Sequence, residues 1–556
     1  MNFEEEFDFV VVGAGSSGCV LANRLSEDGR YSVALLEAGP KDRNLWIHLP
    51  IGYGKTMWND AINWRFHTEP EEGMEGRRIY WPRGRVLGGC SSINGLIVIR
   101  GQQEDYDGWR QLGNEGWGWD DVLPYFRKLE TNPSYREDPL HGSTGPLHVS
   151  SIPVRHELIE AIKSAAVACG VPETADFNGA TQEGVGYYQL TTQGGWRMSA
   201  AKAYLRPARS RKNLSILTEA QVARVVFEGR RAVGVELRQG GRDRRIAARR
   251  GVILSAGAVQ TPQLLMLSGI GPSEHLRDTG IPVLQDSPGV GANLQDHLQI
   301  RMIYRCTKPI TTNDTLRSFY GRARMGLEWL LTRGGPLSIG INQGGLFTRV
   351  LPGSATPDIQ FHIGTLSADM AGGAVHDYSG FTMSVCQLRP ESRGVIRLGS
   401  SEPFAAPKIH ANYLDSETDR ACVVAAMRFA RRLAATEPFA SYVAEEVLPG
   451  AAVATDADLL AFARQNGVTI FHPAGTCRMG GEADRTAVLD ARLRVRGTDG
   501  LWVADCSVMP TLVSGNTNVP AIMIGEKAAD MIREDVNSHQ SGRKAWQAQR
   551  ELSIAS

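Results

Sequence analysis

The stretch Phe9-Val10-Val11-Val12-Gly13-Ala14-Gly15-Ser16-Ser17-Gly18 limits the possible folds more than any other part of the chain. Four apolar residues read as a buried strand, and the glycines turn it into a helix running to Leu25. In such a unit Gly13 permits the tight turn, Gly15 lets backbone approach a pyrophosphate, and Gly18 lets helix and strand pack closely. The helix N-terminus offers free N–H groups and partial positive charge to the phosphates. A second apolar run, Ser32-Val33-Ala34-Leu35-Leu36, ends in Glu37. That acid lies about twenty residues past the last glycine, where a carboxylate accepts ribose hydroxyls. The glycine pattern alone also occurs in ordinary turns. Strand, glycines, helix, strand and acid in register specify a dinucleotide-binding α/β unit.

At 556 residues the chain has material for two or three domains, and 42% hydrophobic with 22% charged residues is ordinary for a globular protein. Its 60 Lys+Arg balance 60 Asp+Glu, so no global field recruits nucleic acid, and a small-molecule partner is expected. The 8 cysteines include no C-x-x-C pair. Neither a disulfide framework nor a metal site is expected, which fits a reducing, cytoplasmic location. The start, Met1-Asn2-Phe3-Glu4-Glu5-Glu6, is acidic where a secretory leader is basic, so no leader is read. No apolar run is long enough for a transmembrane segment, although peripheral association with a membrane stays open.

Residues 46–81 lack clean periodicity and read as a long loop with short helices over the cofactor. In Gly84-Arg85-Val86-Leu87-Gly88-Gly89-Cys90-Ser91-Ser92-Ile93-Asn94-Gly95 the small residues would let backbone lie against a flat ligand; the other reading is a plain surface loop. Helices are expected at 120–130 and 157–169, the latter stopped by Gly170. Runs 213–217, 221–228 and 232–237 read as an antiparallel meander, 250–256 as a strand, and Pro262 as the first residue of a helix. From Arg301 to Leu460 the pattern changes to an antiparallel sheet (359–363, 381–388, 394–398) with a helix at 421–435. The chain then returns with a strand, Leu501-Trp502-Val503-Ala504-Asp505, and a helix at 521–532, before a polar tail expected to fray. The expected architecture is α/β: a Rossmann-like domain from 1–155, 208–300 and 496–535, and a second, α+β substrate domain on an antiparallel sheet from 156–207 and 301–495, with 536–556 as tail.

Two late segments carry the chemistry. In Thr469-Ile470-Phe471-His472-Pro473-Ala474-Gly475-Thr476-Cys477, His472 sits on a short turn that fixes it. A histidine near neutral pKa takes a hydroxyl proton while the carbon gives up hydride; a purely structural role is the alternative. His472 and Cys477 have no second ligand pair, so a metal is not read. Ser514-Gly515-Asn516-Thr517-Asn518-Val519-Pro520 opens the last helix. Its N-terminus suits negative charge, such as that on a flavin that has accepted hydride, or is an ordinary capped helix end.

The chain resembles the glucose–methanol–choline (GMC) oxidoreductases from about Asp8 to Arg533. The resemblance rests on the dinucleotide motif, on Gly84 to Asn94, on Gly257-Ala258-Val259-Gln260-Thr261-Pro262 through Ser268-Gly269-Ile270-Gly271, and on the two late segments. Tyr80-Trp81-Pro82-Arg83-Gly84 and Val513-Ser514-Gly515-Asn516-Thr517-Asn518 look most like its choline dehydrogenase-like and alcohol dehydrogenase branch. The resemblance implies FAD across the first domain with its ring facing the second. It also implies oxidation of a primary alcohol to an aldehyde, with His472 as base and Asn516 holding the substrate oxygen. His362 and Gln343 are the implied substrate residues. Beside Gly13, Gly15, Gly18 and Glu37, the implied cofactor residues are Ser16, Ala38, Arg85, Gly88, Gly89, Ser91, Asn94, Val222, Asp505, Cys506, Asn516 and Thr517. Relatives that bind FAD covalently use a histidine where this chain has Ile93, so the FAD is expected to be non-covalent. The choline enzymes place a glutamate where Gln343 is expected, which favours neutral alcohols. Electrons would pass to an acceptor such as a quinone or O2; an alcohol oxidase or a hydroxynitrile-lyase-type enzyme on the same fold are the alternatives. Oligomeric state is not written in these motifs.

Overall fold

The computed structural model describes residues 3–370 and 372–555, with side chains to Asn537. Met1 and Asn2, read for a leader, and the last tail residue, Ser556, lie outside them. Two seven-stranded sheets organise the chain, and one continuous apolar core runs through both.

The first sheet begins at Glu5–Val12. Val33–Leu36 lies parallel on one side and Arg242–Leu254 on the other. The Ser16–Leu25 helix follows the glycine turn. Gly13 has φ +97°, and a Cβ there would lie 2.5 Å from the Ser255 carbonyl oxygen. A Cβ on Gly18 would lie 1.9 Å from the Gly13 oxygen, so no side chain fits where helix crosses strand. Arg242–Leu254 starts eight residues before the expected strand. Its first half pairs antiparallel with Arg231–Gln239 and its second half parallel with Glu5–Val12 and Leu501–Val503. The charges of Arg242-Asp243-Arg244-Arg245 hid this half-exposed strand from a search for apolar runs. Leu214–Leu217 belongs to the parallel edge beside Val33–Leu36, not to the meander. A four-residue apolar run fits either pairing, so its tertiary partner decides.

The helix after Leu254 is Gly257–Leu267, so Pro262 stands inside it rather than opening it. Proline leaves the carbonyl four residues back without its usual donor. The Thr476 hydroxyl fills that place, donating to the Ala258 oxygen at 2.6 Å. The last helix is Asn518–Ala555. It continues past Ile532, through the stretch expected to fray, where Lys, Arg, Gln, Glu and Ala predominate. It packs on Ser16–Leu25: the Ser17 hydroxyl donates to the Ala521 oxygen at 2.7 Å, and Arg24 holds Glu526 with both arms. The start of the last helix is thereby locked onto the phosphate-binding helix.

The second sheet runs Val443–Leu448, Leu298–Cys306, Gly380–Gln387, Ile359–Gly364, Asn342–Thr348 and Gly184–Tyr187, antiparallel throughout. The Glu417–Ala434 helix covers one face, where Phe361 meets Phe429 with ring centroids 5.8 Å apart. Side chains alternate along a strand, so His362 points to the opposite face. That face looks toward the first sheet's glycine turn and forms the floor of the site.

Candidate active site

A groove of about 130 Å³ runs along the first sheet's carboxyl edge, past Gly13, Gly15, Glu37 and Val222 to Cys90 and Asp505. It meets a cavity of about 220 Å³ above the second sheet. Ser16, Arg83, Cys90, Cys506 and Ala521 border both. The groove is built for a dinucleotide: bare backbone at the glycine turn, then the N-termini of the Ser16 and Gly257 helices. A Cβ on Gly89 would fall 2.7 Å from the Gly15 Cα, so backbone alone closes the cradle. Glu37 is buried, and burial raises its pKa to about 7, against the N–H groups of Gly39 and Ala14 that its two oxygens accept. Each of those oxygens keeps a lone pair for a ribose hydroxyl.

Of the expected cofactor residues, Gly13, Gly15, Ser16, Glu37, Ala38, Gly89, Val222, Asp505 and Cys506 line the groove. Asn94, Asn516 and Thr517 line the adjoining cavity. Gly18, Arg85, Gly88 and Ser91 stand behind these walls. Gly18 serves helix packing, and the Ser91 hydroxyl donates to the Gly88 oxygen while accepting the Ala200 N–H. Arg85 lies over the Trp64 ring, 5.1 Å from its centroid. Asp505 caps the Gly257–Leu267 helix, accepting from the Gly257 N–H at 2.8 Å and the Thr261 hydroxyl at 2.6 Å. Unread in the sequence were Trp64, Arg83 and Gln263, which also line the groove.

His472 lies at the back of the cavity, 8% exposed. Its turn is tightly set: Phe471 has φ +71°, and its carbonyl accepts from Arg83 at 2.8 Å. The His472 N–H donates to Asp296 at 2.8 Å, and Asp296 also accepts the Thr469 and Tyr413 hydroxyls. The ring is fixed by a partner the sequence reading missed, His297. His297 Nε2 is 3.0 Å from the Leu388 carbonyl oxygen, which can only accept, so Nε2 carries the proton. His297 Nδ1 is then an acceptor, and His472 Nδ1, 3.0 Å away, must donate to it. His472 Nε2 therefore keeps its lone pair. Asn516 Nδ2 donates to it at 3.3 Å, oriented by Gln360, whose amide donates to Asn516 Oδ1 at 3.1 Å.

Burial, with His297, His362 and Arg83 nearby, holds the His472 pKa well below the usual histidine value. Burial takes His297 to about 4. The pair is neutral at pH 7, as a proton acceptor must be. His362 lines the cavity with no hydrogen-bond partner on either ring nitrogen, and burial takes it to about 3. Gln343 does not face the cavity: its amide donates to the Thr365 hydroxyl at 3.2 Å, and its neighbour Asn342 lines the wall instead. The signal for His297 was the mostly polar run Asn293-Leu294-Gln295-Asp296-His297, all of it buried in the structure except Asn293. Among the described residues no group of His, Cys, Asp and Glu could hold a metal, and no helix is long and apolar enough to cross a membrane.

A dinucleotide groove opening onto a buried, neutral histidine suits a nucleotide-cofactor oxidoreductase. The comparisons narrow the class. Residues 7–299 and 390–525 match the N- and C-terminal parts of the GMC oxidoreductase family. The chain is 44% identical over 541 residues to mouse mitochondrial choline dehydrogenase, covering 95% of this chain and 90% of that one. It is 41% identical over 534 residues to alcohol dehydrogenase [acceptor] of Pseudomonas putida, covering 96% of both. Among solved structures, pyridoxine 4-oxidase from "Mesorbium loti" superposes with TM-score 0.86 at 31% identity, over 95% of this chain and 99% of that one. The chain belongs to the GMC oxidoreductases, FAD-dependent enzymes, and FAD is the dinucleotide its groove fits.

Proposed function

We propose that this enzyme oxidises a primary alcohol to the aldehyde by FAD-dependent chemistry, as a dehydrogenase. The carrying observation is the unprotonated His472 Nε2, set by the hydrogen bond from Nδ1 to His297 and met by an oriented Asn516 amide. The substrate hydroxyl sits between these two side chains. Asn516 donates to its oxygen, and His472 Nε2 takes its proton, passing to the imidazolium form. Both ring nitrogens of the imidazolium then donate, Nδ1 to His297 and Nε2 to the product oxygen. FAD, when bound, supplies the acceptor for the hydride that leaves the carbinol carbon. The buried walls exclude bulk water from the base. The names of the relatives support an alcohol donor. Anaerobic mixing of holoenzyme with primary alcohols tests the reaction. Loss of the flavin band near ~450 nm is expected, and no bleaching by any alcohol would refute it.

A location peripheral to a membrane, with a lipid-soluble acceptor such as a quinone, fits the surface. The carrying observation is the Phe319–Thr332 helix. Phe319 (81% exposed), Tyr320 (76%), Leu327 (55%), Leu330 (59%) and Leu331 (72%) face solvent. At helical spacing they share, with Ala323, about a third of the circumference, with Met325 and Trp329 inward. Exposed Arg322 and Arg324 edge that stripe, and neither forms an ion pair among the described residues. An apolar stripe between arginines matches an anionic bilayer surface, acyl chains below and headgroups beside.

A further inference from the structure

Among the described residues, no carboxylate lines the cavity above the second sheet. Its described walls carry His472, His362, Asn516, Asn342 and Gln299, and also two guanidinium groups, Arg83 and Arg301. Arg83 is committed to the Phe471 carbonyl at the cofactor end. Arg301 is not so well satisfied. It stands on Leu298–Cys306 two residues from Gln299, so both side chains share the cavity face. Among the described residues its guanidinium donates to the Asp369 main-chain oxygen at 3.2 Å. The Asp369 carboxylate itself is turned outward to His376, 3.0 Å away. Arg301 forms no ion pair with any described acid, and its burial depresses its pKa. Arg301 is half-buried, and Tyr53 and the Asp369 charge offset its burial only through space, so a carboxylate on a ligand would supply the direct partner it lacks among the described acids.

The register places Arg301 relative to the reacting end. Arg301 pairs with Ser384, and Ser384 with His362, across consecutive strands. Two strand spacings separate the Arg301 and His362 backbones by roughly 10 Å. A molecule whose hydroxyl lies at His472 and Asn516 can therefore extend along the sheet to Arg301.

We propose that Arg301 is the counter-ion for an anionic group on the substrate, and that the preferred substrates are primary alcohols bearing a carboxylate at the far end. The proposal rests on the alcohol-oxidising reading above and names its substrate class. A guanidinium takes a carboxylate with two parallel charge-assisted hydrogen bonds. The same cavity disfavours a quaternary ammonium, which would meet arginine and no acid.

The test compares three six-carbon alcohols on the holoenzyme with a soluble artificial acceptor: 6-hydroxyhexanoate, 1,6-hexanediol and 6-hydroxyhexyl-trimethylammonium. The expected order of kcat/KM is carboxylate, then diol, then ammonium. Arg301→Gln should lower kcat/KM for the carboxylate by ~10–100-fold, mainly through KM, and for the diol by less than ~3-fold. Arg301→Lys should restore part of the carboxylate activity. A wild type that uses the diol as well as the carboxylate overturns the proposal, as does an Arg301→Gln loss equal for both. Should none of the three be oxidised, the reaction reading fails separately, and the counter-ion is judged by binding. Hexanoate titrated into holoenzyme should perturb the flavin spectrum saturably, with the effect lost in Arg301→Gln; no perturbation of the wild type overturns the proposal.

Discussion

Replacing His297 by phenylalanine probes the hydrogen-bond relay behind the base. In the native site Leu388 fixes the proton on His297 Nε2, His297 Nδ1 accepts from His472 Nδ1, and His472 Nε2 is left basic. Phenylalanine fills the volume but accepts nothing, so the His472 Nδ1 proton loses its partner in a buried site. An unsatisfied buried donor costs about 1–3 kcal/mol. The other tautomer avoids that cost by moving the proton to Nε2, where it no longer accepts from the substrate and confronts the Asn516 amide. At tenfold per 1.4 kcal/mol, the active tautomer is depleted by ~5–150-fold. kcat/KM for a primary alcohol with an artificial acceptor should fall by that factor, at unchanged FAD content and near-native Tm. His297→Gln, whose side-chain oxygen can accept in the same place, should recover part of the loss. Activity of His297→Phe within twofold of wild type, with flavin intact, would refute the tautomer argument.

Four further outcomes are expected. His472→Ala should lower kcat/KM by ~10²–10⁴ with FAD retained, and Asn516→Ala by less, because the base remains; stopped-flow reduction of the flavin checks both. FAD should be released to the supernatant on acid precipitation, since Ile93 has no nucleophile; flavin left on the washed pellet would point first to Cys90, which borders both groove and cavity. The full chain should co-sediment with vesicles containing anionic lipid and not with neutral ones, and Leu327→Glu/Leu331→Glu should abolish this while leaving turnover with a soluble acceptor unchanged. His141, against the burial that would lower it, is raised to about 9 by hydrogen bonds to Asp176 and Glu130. Its contribution, about 2 kcal/mol after allowing for solvent screening, is complete below pH 6.5 and lost as pH rises through 9. Urea unfolding at pH 6 and pH 9 should show this loss in the wild type and a smaller one in His141→Gln.

Where local chemistry decides a structure, the sequence was legible. The glycine turn is such a case: one residue at φ +97° and one with no room for a Cβ leave few alternatives. The helices at 119–129 and 157–168 announced themselves by acidic first turns and, for the second, by Gly170 at its end. Where tertiary pairing decides, the reading slipped. Arg242–Leu254 serves two pairings at once, and its charged half looks nothing like its apolar half. Pro262 looked like a helix opening because the donor that replaces its missing N–H, Thr476, lies more than two hundred residues away in sequence.

The site divides along the same line. His472 and Asn516 stand on short motifs visible in the sequence and lie together in the cavity, and nine of the expected cofactor residues line the groove. Gln343 came from matching the chain to the glutamate of the choline enzymes, and on a strand a match off by one residue turns the side chain to the opposite face; Asn342 lines the cavity. His297 and Arg301 lie within five residues of each other around the start of the Leu298–Cys306 strand, which no motif marked. Yet one holds the His472 Nδ1 proton by hydrogen bond, and the other is the guanidinium proposed above as the counter-ion. A short glycine or histidine motif carries its geometry in its own spacing, whereas a side chain on a strand gains its role only from what the sheet brings opposite it. Gln299 and Arg301 share the cavity face of such a strand, so the substrate comparison on Arg301→Gln is the direct test of the charge proposed there.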